Sequence, residues 1–472
     1  MSKVRRNRSA LTVSAAAAAA RAVAPVVESM EERVLFNTYV VTTTANSGTG
    51  SLRDAISKAN SHSGSDTIQF KIGSGLKTIA PSSSLPQLTG PTTIDGTTQS
   101  GYSGKPLIEL RGNSGGGGNG LLLTGGSSTV KGLIINRFSS CGILIINHGG
   151  DTIKNCYLGT DASGTYDAGN GAKGIVVQAS NNTIGGTSSG DRNVISGNGC
   201  GIQLYTSAAS YNKILGNYIG TDYTGTKGIQ NGVDGIAIRS AAHNTIGGTT
   251  AGSKNVISGN GTDGIVCNGS GANYNTIIGN YIGTNASGTA RLGNNNYGVE
   301  ISEAHNTVGG TAAGSRNVIS GNKYSGVVLW LSSGSYNKVI GNYIGTDYSG
   351  KYDLGNYWRG VEITNGSSHN YVGGYSSAER NVMSGNESDG VRVYQGSDNW
   401  IIGNYIGFGS DAYKSLGNSG DGVRLPSANS VHILNNKIGN NGGAGVNATT
   451  SSGSSMSGNT ISNDSLVSIR QY

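Results

Sequence analysis

A seven-residue phrase, GNYIGTD, stands at Gly216–Asp222 and again at Gly341–Asp347. Near-copies read GNYIGTN at Gly279–Asn285, GNYIGFG at Gly403–Gly409 and NCYLGTD at Asn155–Asp161. The tyrosines Tyr157, Tyr218, Tyr281, Tyr343 and Tyr405 are spaced 61, 63, 62 and 62 residues apart. A second phrase keeps the same beat: Arg192, Lys254, Arg316 and Arg380 each open a copy of [RK]-N-V-[IM]-S-G-N. Self-similarity at a fixed period speaks for stacked repeats before it speaks for any active site, and it makes a domain count from length inapplicable.

Each unit of about 62 residues holds two G-[IV]-x-[IVL] signals, at Gly201 and Gly235, Gly264 and Gly298, Gly326 and Gly360, Gly390 and Gly422. One sub-unit reads GIQL, then NKILG, then NYIG, and each piece alternates apolar with polar or small residues, as a strand with one buried face does. Asn and Gly punctuate the pieces and supply the left-handed backbone of sharp corners. Three short strands per turn predict an all-β solenoid, a parallel β-helix. Its inward column is Ile202, Ile236, Ile265, Val299, Val327, Val361, Val391 and Val423. Stacked asparagines are expected to bond along the axis, with Tyr of GNYIG outward or beneath a loop. Glycine marks from Gly120 to Gly445 count about a dozen coils, a rod about 60 Å long at ~4.8 Å per coil.

Four segments follow: 1–37 as a basic, Ala-rich targeting or disordered stretch, 38–119 as cap and first coils, 120–450 as the repeats, and 451–472 as a tail that closes or frays. SLRDAISKAN (Ser51–Asn60) is the one good helix signal, with Ser51 as N-cap and Leu52, Ala55, Ile56 and Ala59 on one face. It is placed over a first coil made of DTIQFKI, TTIDG and LIEL. With 80 Gly among 472 residues and no three-residue period, the chain is not collagen-like, and its regular Ile and Val positions argue against disorder. A net charge of +7 suits an acidic polymer or cell envelope, and no basic stripe interleaved with aromatics marks a nucleic-acid module. No run of about 18 strongly apolar residues predicts a membrane span. Cys141, Cys156, Cys200 and Cys267 read as buried or ladder substitutions rather than disulfides.

VVTTTANSGTGSLRDAISKAN (Val40–Asn60) resembles the CSLREA-type segment that opens bacterial surface β-helix proteins, with Gly50 where that motif has Cys. GGTxAGxxNVISGN and GNYIGTD resemble the right-handed parallel β-helix repeats that follow it, over about Val40 to Gly445. ESMEERVLFN (Glu28–Asn37) is similar to the LEPR-type motif near the start of exported bacterial proteins, departing from it at Met30 and Glu32. The resemblance implies a right-handed, pectin-lyase-like, single-stranded β-helix on an exported or cell-surface protein. It implies no reaction, since that fold hosts lyases, hydrolases, epimerases, adhesins and inert stalks.

No HExxH or CxxC occurs. GNSGG (Gly112–Gly116) and GTSSG (Gly186–Gly190) lack a strand-to-helix elbow, and GTDYSGKY (Gly345–Tyr352) lacks the Ser/Thr and the helix of a phosphate loop. His243, His305 and His369 share one turn position and read as structural. No cofactor is expected. Calcium is the one ion that Asp161, Asp222 and Asp347 suggest, although Asn285 and Gly409 break that series. The outward strand positions vary, and the candidate carboxylates there are Glu300 and Glu362, two coils apart, with Arg392 one coil from Glu362. A surface ion pair is the competing reading. Tyr205, Trp330 and Tyr394 share a column and are candidates for an aromatic platform under sugar rings. Arg192, Lys254, Arg316 and Arg380 form a column able to bind an acidic polysaccharide, or to pair with Asp191, Glu379 or loop carboxylates. No single place breaks the repeat as a catalytic cluster would. The expected role is a structural, adhesive or glycan-binding rod without an evident catalytic site; the alternatives are a polysaccharide lyase or hydrolase and a self-assembling filament. Oligomeric state is left open.

Overall fold

The computed structural model describes residues 36–112 and 118–465. The N-terminal segment with most of its LEPR-like motif, the Gly/Ser run 113–117 that holds most of GNSGG, and the tail over 466–472 lie outside the described residues.

The described chain is a right-handed parallel β-helix of three sheets, with fifteen, fourteen and twelve strands, and one α-helix. One coil shows the logic. Cys200–Tyr205 joins the twelve-stranded sheet, Lys213–Leu215 the fifteen-stranded sheet and Tyr218–Ile219 the fourteen-stranded sheet. These are the three pieces expected from GIQL, NKILG and NYIG. Successive coils pair in register, Ile202 with Ile236, Ile236 with Ile265 and Ile265 with Val299. All eight residues of the predicted inward column are fully buried. Period-2 alternation therefore builds one continuous core, because each coil covers the apolar face its neighbour leaves open.

The twelve-stranded sheet, from Leu121–Leu123 to Val446–Asn447, accounts for the dozen coils. The other two sheets begin earlier, and this corrects the reading of the first coil. Asp66–Phe70 and Thr92–Asp95 are consecutive rungs of one sheet, with Asp66 opposite Thr92, not two sides of one coil. No G-[IV]-x-[IVL] phrase precedes Gly120, so the early coils have no third strand. The helix Leu52–Asn60 caps this end: Ser51 accepts from the Asp54 N–H, and Leu52, Ala55, Ile56 and Ala59 are buried. It packs on Asn37–Val41 and Asp66–Phe70.

All three corners carry asparagine ladders. Nδ2 of Asn182, Asn212 and Asn244 donates to Oδ1 of Asn212, Asn244 and Asn275 in turn. Asn193, Asn217 and Asn255 lead a second ladder, and Asn170, Asn231 and Asn260 belong to a third. These side chains are buried, so every donor and acceptor must be spent internally, and an amide has one of each pointing along the stack. Cys156 takes an Asn place and keeps only the backbone half of the bond, from its N–H to Asn193 Oδ1.

The 62-residue period has a steric cause. Every second coil inserts a small hairpin after its fourteen-stranded-sheet strand, closed by bridges such as Thr221 with Gly228 and Thr346 with Asp353. The tips stack by backbone bonds from Tyr223 to Gly164, Ala286 to Gly225, Tyr348 to Gly288 and Ser410 to Gly350. A hairpin is two strands thick, roughly 9.6 Å, the rise of two coils. Hairpins on every coil would collide.

Candidate functional site

The hairpin ridge forms one wall of a groove over the fourteen-stranded sheet. The opposite wall is the turn that leads into Arg192, Lys254, Arg316 and Arg380. Tyr218, Tyr281 and Tyr343 lie on the floor, buried with Val256, Val318 and Val382. Each cation of the predicted basic column sits on the tyrosine of the next coil: Arg192 over Tyr218 at 4.1 Å, Lys254 over Tyr281 at 3.7 Å, Arg316 over Tyr343 at 4.1 Å and Arg380 over Tyr405 at 4.2 Å. The arginine Nε atoms donate to the carbonyls of Gly216, Gly341 and Gly403. The alternative carboxylate partners are engaged elsewhere, Asp191 with Lys154 and Glu379 with Ser376. Among the described residues none of the four cations forms an ion pair, and no bond uses the arginine Nη atoms. Between Lys254 and Arg316 the groove widens to a cavity of about 350 Å³, lined also by Tyr281, Tyr348 and Thr249.

The second feature lies on the outer face of the twelve-stranded sheet. Glu362 is 5 % exposed and accepts from Ser325 at 2.9 Å and Arg359 at 3.1 Å, with Arg392 at 3.6 Å. Glu362 and Arg392 are thus an ion pair inside a larger network that also reaches Asp389, 3.6 Å from Arg359. Glu300 lies two rungs from Glu362 with Val328 between them. It belongs instead with Asp263 and Asp234. Burial pushes the Asp263 carboxyl up to about 8, with the charges of Glu300 and Asp234 adding to it. Burial, then Asp234, also raises Glu300. Asp263 is therefore protonated at neutral pH and is an acid beside a carboxylate.

Tyr205, Trp330 and Tyr394 share the predicted column but do not meet. Trp330 is four rungs from Tyr205 and two from Tyr394, roughly 19 and 10 Å at β spacing. Trp330 meets Tyr297 edge-on, Tyr297 meets Tyr324, and Tyr324 meets Trp358. Arg359 covers Trp358 and Arg392 lies over Tyr394. Tyr297, Tyr324 and Trp358 occupy the corner just before the marker glycine, where most other coils have Gly, Ser, Thr or Asp. Over three successive coils this corner departs from the repeat with aromatic side chains. The signal was in the sequence as NNNYG, NKYSG and NYWRG at 294–298, 322–326 and 356–360, beside VDG, TDG, SDG and GDG elsewhere.

Asp161, Asp222 and Asp347 each close their own hairpin. Asp222 Oδ1 accepts the Thr226 and Lys227 N–H groups and the Thr224 hydroxyl, and Asn285 does the same for Thr289 and Ala290. Either side chain can accept, which explains how Asn enters the series. Among the described residues no group of three His, Cys, Asp or Glu could hold a metal ion. The four cysteines are buried and free. His243, His305 and His369 stack with Tyr211, Tyr274 and Tyr336 into a six-ring ladder, centroids 4.8 to 5.4 Å apart, all at φ between 57° and 60°. No helix among the described residues is long and apolar enough to cross a membrane.

A family model described as "Right handed beta helix region" matches residues 354–470. No curated protein matches the chain by sequence. Among solved structures, the Dettilon tailspike protein is 15% identical over 88% of this chain, with a TM-score of 0.44, and the chain spans 66% of its length, just under two thirds. The A-module of a mannuronan C-5 epimerase from Azotobacter vinelandii is 16% identical over 91% of this chain and 88% of its own, with a TM-score of 0.30. PfbA, a surface adhesin of Streptococcus pneumoniae, is 12% identical over 88% and 86%, with a TM-score of 0.33. Likeness at this level concerns the kind of fold, not the chemistry.

Proposed function

We propose that this β-helix is an exported rod that binds an acidic polysaccharide in the groove over the fourteen-stranded sheet. The observation that carries the reading is the row of four tyrosine-seated cations. Stacking and the Nε bond fix each guanidinium, so its outer edge keeps two N–H groups aligned for a carboxylate at little ordering cost. The cations recur every second coil, about 9.6 Å, so an extended chain carrying acidic groups at that interval meets each in turn. The CSLREA-like opening at Val40–Asn60 supports export. The test is retention on an immobilised polyuronate at rising salt. The double variant Lys254→Gln/Arg316→Gln is expected to weaken binding at least ten-fold while still unfolding in one cooperative step, since two charge-assisted contacts are lost. Retention indifferent to both substitutions refutes the groove.

A second reading, cleavage of the polymer, is favoured by the protonated Asp263 beside Glu300, an acid and a base on one face. Release of reducing or unsaturated ends that Asp263→Asn abolishes would establish it. Binding without new ends leaves the rod a binder.

A further inference from the structure

The break in the repeat has a shape of its own. Tyr324, Tyr357 and Trp358 project from adjacent coils at the corner between the fourteen- and twelve-stranded sheets, and with Lys323 they line a cavity of about 460 Å³. That volume lies within the range of small-ligand sites. The three rings are 42 %, 48 % and 40 % exposed. Tyr324 and Trp358 stand edge to face at 5.2 Å, an L-shaped wall rather than a flat patch. Trp358 is held from behind by the Arg359 guanidinium, itself tied to Glu362 and Asp389. Tyr357 is braced by Arg291, which is paired with Glu387 and Asp353. Both bracing arginines are thus ion-paired, and Lys323 is the one cation on the rim with no ion pair among the described residues.

The geometry points to a binding subsite for a single pyranose ring that carries an acidic substituent. The apolar C–H face of the ring stacks in the angle between Trp358 and Tyr324, and its carboxylate meets the Lys323 ammonium. Aromatic walls suit the C–H face, the unpaired cation supplies charge complementarity, and braced rings lose little freedom on binding. The subsite deepens the acidic-polysaccharide reading: Arg291 and Asp353 belong to the hairpin ridge, so the groove lies on one flank of that ridge and the pocket on the other. A polymer in the groove can place a branch or chain end there.

The chain has three tryptophans, Trp330, Trp358 and Trp400, so fluorescence isolates the site. Glucuronate oligomers and neutral glucose oligomers of the same linkage are titrated into the full chain. A saturable emission change with the acidic oligomer is expected, at least ten-fold weaker with the neutral one. It should persist in Trp400→Phe and in Lys254→Gln/Arg316→Gln, vanish in Trp358→Leu, and weaken at least ten-fold in Lys323→Ala. Unchanged thermal unfolding of Lys323→Ala, a rim substitution, separates lost binding from lost fold. No emission change, equal affinity for both oligomers, or a change insensitive to Trp358 and Lys323 overturns the subsite. Loss in the groove double variant alone would instead place all binding in the groove.

Discussion

The groove over the fourteen-stranded sheet and the outer face of the twelve-stranded sheet are built on the same coils, yet they are written differently. In the groove the same pair, a cation on a tyrosine, returns four times. On the outer face the residue changes along the rod: Asp234, Asp263, Tyr297, Ser325, Arg359 and Asp389 follow one another just before the marker glycine, and only the first two match. A repeated residue answers to its neighbours above and below, which are copies of itself, so repetition records stacking. A variable position answers to unlike neighbours, as Glu362 does to Arg359 and Arg392, or to what lies outside the rod. The groove arginines are unusual in satisfying both: stacking uses the guanidinium face and Nε bonds a glycine carbonyl, which leaves the outer Nη edge unspent.

Four substitutions break or sharpen this contrast. The largest effect is expected where repetition is purely structural. Asn255 accepts from Asn217 N and Nδ2 and donates to the Ile214 carbonyl and Asn280 Oδ1. Asn255→Ala strands several buried groups and should cost about 3–5 kcal/mol, read as a fall in denaturation midpoint. A cost under ~1 kcal/mol would show the ladder to be ornamental.

Next comes a variable position. Asp263 holds its proton up to about pH 8 when folded and ionises near pH 4 when unfolded. Between those values the folded state binds one proton more, so stability falls as pH rises through that window and levels off above it. Asp263→Asn should remove this slope, matching the parent near pH 4 and melting a few degrees higher at pH 8, by roughly 2–4 °C per kcal/mol. Parallel melting curves of the two proteins from pH 4 to 9 would sink the assignment.

Smaller still is the loss of fold stability from Arg316→Gln, about 0.5–1 kcal/mol for one half-exposed cation–π contact, in contrast with the larger loss of polyuronate binding expected from the same substitution. Equal losses of both would mean that the cation only braces Tyr343. The smallest change is expected from His305→Asn. It removes ring contacts with Tyr274 and Tyr336 but relieves a left-handed backbone that Asn tolerates better. The two terms nearly cancel, and a midpoint shift above ~1 kcal/mol in either direction would separate them.

The solenoid was legible in the sequence because its forces are local and periodic. Alternation in GIQL, NKIL and NYIG, Asn at the corners and Ser51 ahead of the helix each name a contact that the next copy repeats. The pairing of cation with tyrosine was not legible, because Arg192 and Tyr218 lie 26 positions apart and only the coil geometry sets one above the other. Trp330, Tyr394 and Tyr205 could be placed in one column, but which of them touch depended on ring reach across rungs, and Trp330 turned to Tyr297 on the neighbouring rung instead. The Asp263–Glu300 acid pair and the Tyr324–Trp358 wall needed the tertiary structure for the same reason. Burial and charge proximity belong to the space between coils, and a one-dimensional repeat determines how many coils there are and which way each side chain points, but not what finally meets across their outer faces.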